Sequence, residues 1–239
     1  GALAIARRLT DRLPNGPVPA LPDVVGAPAP RGRRVVLVDK ADRTQAQLRL
    51  GHLGPRYGDD DTAALLLLET GFGGMFSSRL MQEIRVKRGW SYGAGCALRR
   101  SRGRHWFEMW MATAIDVAGA AARLTHDLYA ALADGGLTDA ELALTRSYLL
   151  GSLPFHLATA RQRMQLAMRD ALFGLPVGYT AALPTRVAQL SVADVRATAR
   201  RHLRPDELVT VAVTTAAAAR ADFERAAIGA PRVVAFDAY

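Results

Sequence analysis

The stretch GGMFSSRLMQEIRVKRGWSYG, residues 73–93, joins a predicted helix to the start of a strand through a glycine turn. The helix is expected to end at Gly89, because glycine readily adopts the left-handed conformation that closes a helix. Arg85 and Tyr92 lie seven residues apart, one on each side of this turn. A guanidinium and a phenol held there suit a peptide carbonyl, or the oxyanion that forms when water attacks one.

Strands are predicted on both sides of this stretch. Residues 35–38 form a short apolar run, which indicates a buried strand. Ala46, Leu48 and Leu50 alternate with polar residues, which indicates a strand with one buried face. Further strands are predicted at 92–98, 105–113, 208–213 and 232–236.

Helices are predicted mainly in the second half of the chain, and most begin at a capping residue. Asp59 to Asp61 are candidate caps for a helix over 63–69, and Asp116 for a long helix that Gly135 closes. The other predicted helices cover 75–87, 138–151, 159–173 and 191–202. Hairpin strands followed by several helices and a late strand are typical of an α+β fold, because a doubly wound sheet alternates strand and helix throughout.

The N-terminal segment differs from the rest in its proline content. Six of the twelve prolines lie between Pro14 and Pro30. Proline lacks a backbone donor and fixes φ, so we expect residues 1–30 to be a linker or extension. The remaining residues, 31–239, are expected to form the domain; the 50% hydrophobic content of the chain is enough for one domain or two small ones.

The net charge of +9 comes almost entirely from arginine, since the only lysines are Lys40 and Lys87. Scattered arginine together with abundant alanine is typical of a GC-rich coding bias. No nucleic-acid-binding motif occurs, so we expect no nucleic-acid partner. A basic face that attracts acidic peptides stays open.

Membrane and secretion signals are not found in this sequence. No apolar run approaches the roughly 18 residues needed to span a bilayer. Residues 1–9 are short for a signal peptide and are followed by prolines rather than by a cleavage site. The single Cys96 excludes an intrachain disulfide and is compatible with a reducing compartment. We therefore expect a cytoplasmic protein without a membrane partner.

The sequence lacks the usual residue patterns of a catalytic centre. A zinc site on a helix needs two imidazoles one turn apart, and no two of the five histidines lie within twenty residues of each other. Cys96 has no histidine nearby in sequence, which favours a buried structural cysteine. Gly71 to Gly74 lack the Lys-Ser/Thr of a phosphate loop and follow a helix, so close packing is the better interpretation. We expect neither a metal nor a cofactor in this chain.

Segments spread from Val35 to Val213 resemble the second-half domain of pitrilysin/insulinase-family zinc peptidases, a family that includes the mitochondrial processing peptidases. The resemblance is to the bacterial branch, and it implies a pitrilysin-like α+β domain with an antiparallel-dominated sheet and helices packed over one face. One departure is Trp90, where the family usually has an aliphatic residue; it could reshape a subsite or fill more of the core. The matching segments are VLVDK (36–40), QLRLG (47–51), GGMFSSRL (73–80), GLTDAEL (136–142), GSLP (151–154) and RPD (204–206).

In that family, the arginine and tyrosine of this motif face the zinc site from the opposite domain and hold the substrate. Arg85 and Tyr92 match those positions, which implies roles in substrate binding and oxyanion stabilisation. The resemblance thus implies the non-catalytic half of a bacterial zinc endopeptidase, inactive alone, whose partner half supplies H-x-x-E-H and zinc to cleave a peptide or precursor protein. Two alternatives stay open: a structural subunit of the respiratory-complex core type, and a leader-peptide-binding module without peptidase activity.

Overall fold

The computed structural model describes residues 2–14, 16–17, 30–56, 58, 60–99 and 104–238. In these residues, six strands form one mixed sheet in the order β3-β4-β2-β5-β1-β6. The strands are β1 (Arg34–Asp39), β2 (Gln45–Arg56), β3 (Ala94–Arg99), β4 (Arg104–Ala114), β5 (Val209–Thr214) and β6 (Pro231–Ala235).

The sheet combines an antiparallel half with a parallel edge. β3 pairs with β4, β4 with β2, and β2 with β5, all antiparallel. β1 then pairs with β5 and β6 in parallel. The predicted antiparallel-dominated sheet is confirmed.

Helices and short helical turns connect the strands, and none of the described helices is long and apolar enough to span a membrane. Two of the helices, α2 and α3, continue directly as π-helical turns at Thr70–Gly74 and Gln82–Val86. The helices are α1 (Ala2–Thr10), α2 (Thr62–Glu69), α3 (Arg79–Met81), α4 (Ala118–Gly135), α5 (Asp139–His156), α6 (Ala160–Leu172), α7 (Leu183–Gln189), α8 (Val192–His202) and α9 (Ala216–Ala226).

The two faces of the sheet differ in burial. In β2, Ala46, Leu48 and Leu50 are at most 1% exposed beneath the helices, and the odd-numbered residues between them point the other way. The helices therefore cover one face, as the sequence predicts. The opposite face, called here the open sheet face, consists of the odd-numbered residues of β2, β3 and β5 and the even-numbered residues of β1, β4 and β6.

The start of α4 corrects one prediction. Asp116 does not cap this helix, since it lies inside a 3₁₀ turn, Ile115–Val117, and its side chain makes no capping bond. The carboxylate of Asp222, on α9, accepts hydrogen bonds from the backbone N–H groups of Gly119 at 2.6 Å and Ala120 at 3.3 Å. A residue distant in sequence thus satisfies the donors that a local aspartate was expected to satisfy.

The aspartate that stands at the N-cap of α2 does not form the predicted capping hydrogen bond. Asp61 stands at the cap position of α2 without a capping hydrogen bond. Its carboxylate instead accepts from Arg201 at 2.7 Å and lies 2.6 Å from a ring nitrogen of His202. The neighbouring Asp59 lies outside the described residues. Asp61 therefore connects α2 to α8 and makes no capping hydrogen bond to the first turn of α2.

The helix predicted over 75–87 begins four residues later than expected. Met75 and Ser78 are extended, with ψ of 164° and 154°, so the helical conformation starts at Arg79. Before it, a Cβ at Gly73 would lie 2.3 Å from the backbone nitrogen of Cys96. This contact confirms that the glycine run permits close packing, here against β3.

Three helices were not predicted, namely α1, α7 and α9. The predicted capping boxes at Thr138 with Glu141, and at Ser191 with Asp194, are confirmed. The helix that starts at Thr138 continues through Pro154 to His156, beyond the end expected at Gly151. The linker assignment of residues 1–30 stays a prediction, and residues 18–29 lie outside the described part of the chain.

Candidate functional site

The candidate site lies at the β3 edge of the sheet, where the π-helical turn Gln82–Val86 leads into the strand. Leu80 and Ile84 are fully buried and fix this segment to the core. Arg85 follows Ile84 directly and is only partly buried. Anchored apolar neighbours thus place its guanidinium at the surface without leaving the backbone free to move.

A glycine turn returns the chain to Arg85. Gly89 has φ of +64°, the left-handed conformation predicted for it. The backbone N–H of Gly89 donates to the carbonyl of Arg85, and that of Trp90 to the carbonyl of Ile84, both at 3.0 Å. Tyr92 therefore comes back beside Arg85, and the structure brings the two predicted residues together.

The Arg85 guanidinium lies against two aromatic rings. Its central carbon is 4.4 Å from the ring centroid of Tyr92 and 5.1 Å from that of Phe76. Such contacts use the flat face of the guanidinium and leave its N–H groups directed outward in the plane. Among the described residues, no acceptor takes a hydrogen bond from this side chain. The edge of Arg85 is therefore available to a ligand.

Both rings are unusually exposed. Tyr92 is 86% exposed and Phe76 is 61% exposed. Exposed aromatic rings beside an unpaired cation are more typical of a binding surface than of a domain core. The phenol of Tyr92 is free to donate to an oxygen atom that approaches the same guanidinium.

Phe76 is a site residue that sequence reasoning did not identify. It precedes the helix in a turn that is closed by a hydrogen bond from the Ser78 N–H to the Met75 carbonyl at 3.0 Å, and this turn carries its ring to Arg85 nine positions later. Apart from an aromatic residue next to a helix start, the sequence contains no signal for this contact.

The other cations of the same segment are already paired. Glu83 accepts hydrogen bonds from Lys87 at 2.5 Å and Arg88 at 2.6 Å. These two bonds lower the pKa of Glu83, so it stays ionised and the pairs persist at neutral pH. Trp90 packs against the core, and Arg88 covers its ring at 5.4 Å. Of the two sequence-based interpretations of Trp90, core filling fits this arrangement.

A second arginine, Arg79, anchors the helical segment at its start. Its Nε and Nη2 donate to the two carboxylate oxygens of Glu141 at 2.9 and 2.7 Å, and Nη2 also reaches the carbonyl of Gly136 at 3.1 Å. Burial raises the pKa of Glu141, but the hydrogen bond from Arg79 and those from Thr138 lower it more. This ion pair ties the site segment to the start of α5.

Comparison with known proteins identifies the family of this chain. The family described as "Peptidase M16 inactive domain" matches residues 1–149. The chain belongs to this family. Its inactive M16 domain is also 28% identical to the peptidase M16 inactive domain from Pseudomonas fluorescens, with a TM-score of 0.77 over 89% of this chain and 50% of that one.

Curated relatives of the inactive M16 domain are longer proteins. An uncharacterised zinc protease of Mycobacterium tuberculosis is 30% identical over 199 residues, 83% of this chain and 44% of that protein. A "non-peptidase homolog", YmxG, of Helicobacter pylori is 25% identical over 142 residues, 59% of this chain and 33% of that protein. The chain thus spans less than half the length of these relatives.

The described residues of the inactive M16 domain do not fit a zinc ion. His52 lies 2.5 Å from the Tyr129 hydroxyl, and a ring nitrogen of His126 lies 2.9 Å from Thr210. Each of these histidines is separately engaged, and nowhere in the described residues do three or more ligand-type side chains form a group. Burial raises the pKa of the Cys96 thiol, which keeps it protonated and unreactive.

Proposed function

We propose that this inactive M16 domain is the substrate-holding half of a zinc-dependent endopeptidase that cleaves peptides or precursor proteins. The partner half would carry the H-x-x-E-H motif and the zinc ion. The observation that supports this proposal is the arrangement at the β3 edge, where Arg85 has unused donors and lies beside the exposed phenol of Tyr92.

In this proposal the two side chains act on one peptide bond. Arg85 donates to a substrate carbonyl and fixes the orientation of the peptide. Tyr92 donates to the oxygen on which negative charge develops when water attacks the bond. Stacking on Phe76 and Tyr92 holds the guanidinium plane before the substrate arrives, so little reorganisation is needed during the reaction.

The partner half is either the remainder of one longer polypeptide or a second chain in a heterodimer. Curated relatives more than twice as long as the matched region support the first arrangement. In both cases the isolated chain is expected to be inactive, because its described residues do not fit a metal. The cytoplasmic location expected from the sequence stays a prediction.

The substitution Tyr92→Phe in the assembled enzyme tests the proposal. It removes one hydroxyl donor and leaves the ring that stacks on Arg85. Loss of one oxyanion donor typically lowers kcat by about 10²–10³, and zinc content should not change. Tyr148→Phe is the matched control, since Tyr148 is an exposed tyrosine on α5, and it should leave kcat unchanged. Normal turnover by the Tyr92→Phe enzyme would contradict the proposal.

A second candidate function is peptide or leader binding without cleavage, or a structural role. The similarity to the H. pylori protein named a non-peptidase homologue favours this alternative. The partly buried Arg85 guanidinium, which forms no hydrogen bond to a described residue, argues against a purely structural subunit, which does not need such a group. A chain that binds peptides but never increases their cleavage by any catalytic half would support the binding module.

A further inference from the structure

The open sheet face has an unusual charge composition. Its described side chains include four arginines and one glutamate, whereas the whole chain has 31 basic and 22 acidic residues. A face lined by one sign of charge attracts partners of the opposite sign. The charged residues of this face are Arg34, Arg49, Arg99, Glu108 and Arg232.

The single glutamate does not neutralise this face. Glu108 accepts hydrogen bonds from Arg49 at 2.7 Å and Arg99 at 3.0 Å. Partial burial raises the pKa of Glu108, but the hydrogen bond from Arg99 and the charges of both arginines lower this pKa more. The three side chains thus form a fixed group with a net charge of +1.

The other two arginines of the face carry unpaired charge. Arg34 on β1 and Arg232 on β6 are exposed, and neither forms an ion pair with a described residue. In the pairing of β1 with β5, Val209 lies opposite Arg34, and in the pairing of β1 with β6, Val36 lies opposite Arg232. Two free guanidinium groups therefore border an apolar part of the sheet.

An apolar groove of about 500 Å³ lies between the two basic regions. The residues that line it include Gly51, Trp106, Val209 and Val211. A Cβ at Gly51 would lie 2.2 Å from the carbonyl oxygen of Phe107, so a side chain at this position would clash with β4. Glu207, two residues before Val209, lines the groove as well.

A row of cross-strand neighbours leads from the candidate site to residues that line the groove. Gly93 follows Tyr92, and the Trp110 ring lies over Gly93 and Gly95, with ring atoms 3.6 and 2.7 Å from Cβ positions built there. From this ring, cross-strand neighbours continue across the open sheet face. They are Trp110, Arg49, Val211, Val36 and Arg232, one from each of β4, β2, β5, β1 and β6.

We infer that the open sheet face binds the part of an extended peptide that lies beyond the bond held by Arg85 and Tyr92, and that it selects peptides with acidic residues separated by apolar ones. This inference rests on the proposed substrate-holding role. Arg49 is two strands from β3 and Arg232 is five, about 10 and 24 Å at ~4.8 Å per strand. At ~3.3 Å per extended residue, these distances place the preferred acidic residues about three and seven positions from the gripped residue.

Charge also distinguishes the peptide from a second copy of this chain. Two open sheet faces packed together would bring arginines into the same interface, and like charges in one interface are unfavourable. An acidic peptide instead gives each of the two basic regions a carboxylate, while its apolar side chains cover the valines of the groove.

Peptide binding to the full 239-residue chain tests the inference. Labelled decapeptides with glutamate at two positions about four residues apart, the separation between the third and seventh positions, would be compared with glutamine and lysine versions by fluorescence anisotropy. At low salt we expect the glutamate peptide to bind about tenfold more tightly than the glutamine peptide, and the lysine peptide most weakly. The difference should fall below about twofold in 0.5 M NaCl, because salt screens exposed charges.

A double variant distinguishes binding by the arginines of the open sheet face from nonspecific attraction by the positive net charge of the chain. Arg34→Gln with Arg232→Gln should remove most of the preference for glutamate. The control is Arg8→Gln with Arg161→Gln, which changes the net charge by the same amount at exposed helical positions. This control should keep the preference for the glutamate peptide.

Three results would overturn the inference. Equal binding of the glutamate and glutamine peptides would contradict it and leave the substrate-holding role intact. Self-association that depends on Arg34 and Arg232 would make the face an interface between copies. If none of the peptides binds, both the inference and the proposed role are wrong.

Discussion

Two arginines of one helical segment show how the same side chain serves different purposes. Arg79 donates to both oxygens of Glu141 and to the carbonyl of Gly136, and its side chain is 17% exposed. Arg85, six residues later, stacks on two rings and makes no hydrogen bond to any described residue. Arg79 uses its Nε and Nη2 donors within the domain, whereas Arg85 donates to no described residue.

The two arginines therefore differ in role, although only six residues separate them: Arg79 contributes to stability and Arg85 to function. Hydrogen bonds within the domain to charged groups stabilise the fold. Removing one partner of such a bond leaves the other partner unpaired, which lowers stability. A guanidinium held by aromatic faces contributes less to stability, but it is oriented before a ligand binds. We therefore expect substitutions of Arg79 to lower stability and substitutions of Arg85 to lower activity.

The largest effect is expected from Arg85→Gln in the assembled enzyme. Loss of the cation should lower kcat/KM at least 100-fold, since charged donors at a reacting carbonyl contribute several kcal/mol. Denaturant unfolding should show a loss of only about 1 kcal/mol, from the exposed cation–π contacts that the substitution removes. Lys87→Gln is the matched control for charge, and its activity should be normal. A large loss of stability in the Arg85 variant would remove the distinction between the two arginines.

The second effect concerns Arg79→Gln. It leaves the half-buried carboxylate of Glu141 without its main partner, so the free energy of unfolding should fall by roughly 2 kcal/mol. Arg200→Gln breaks the exposed pair with Asp134 and should cost less than about 0.5 kcal/mol. Equal unfolding curves for the two variants would show that the Arg79 pair does not anchor the segment.

A smaller effect is expected at Phe76. Phe76→Leu keeps an apolar side chain but removes the ring on one side of Arg85, and exposed cation–π contacts contribute about 0.5–1 kcal/mol. We expect kcat/KM to fall two- to fivefold, with full recovery in Phe76→Tyr. Equal activity of the leucine and tyrosine variants would show that Phe76 does not position Arg85.

The smallest effect is a pH dependence that belongs to the Arg79 pair. The pKa of Glu141 is lower in the folded chain than its ordinary value of 4.5, so its contribution is complete above that pH. The contribution is lost as the pH falls through the folded pKa. Urea titrations between pH 6 and 3 should therefore show a smaller acid loss in Glu141→Gln. An unchanged pH profile in that variant would contradict the ionised pair.

Local sequence signals predicted the parts of the fold that depend on neighbouring residues. The capping box of Thr138 and Glu141 and the left-handed turn at Gly89 are examples, since every group involved lies within a few positions. The cap of α4 was not predictable in this way, because Asp222 lies 103 residues from Gly119. The alanine-rich α9 offers no clear apolar stripe, and for that reason it was missed.

The same distinction applies to the candidate site. Arg85 and Tyr92 were found because a single glycine turn joins them, and because the surrounding motif resembles a known family. Phe76 depends on a turn before the helix, and the Arg79–Glu141 pair depends on a contact across 62 residues. Neither feature follows from periodicity or composition, so the structure was needed to separate the free arginine from the paired one.

The most direct test of the substrate-holding role is a reconstitution. The purified chain, a catalytic M16 half with H-x-x-E-H, and a precursor peptide would be combined in pairs and all together, with cleavage followed by mass spectrometry. The proposed role predicts cleavage only when both halves are present, and its loss when the chain carries Arg85→Gln. Stoichiometric metal and peptide hydrolysis by the purified chain alone would contradict it.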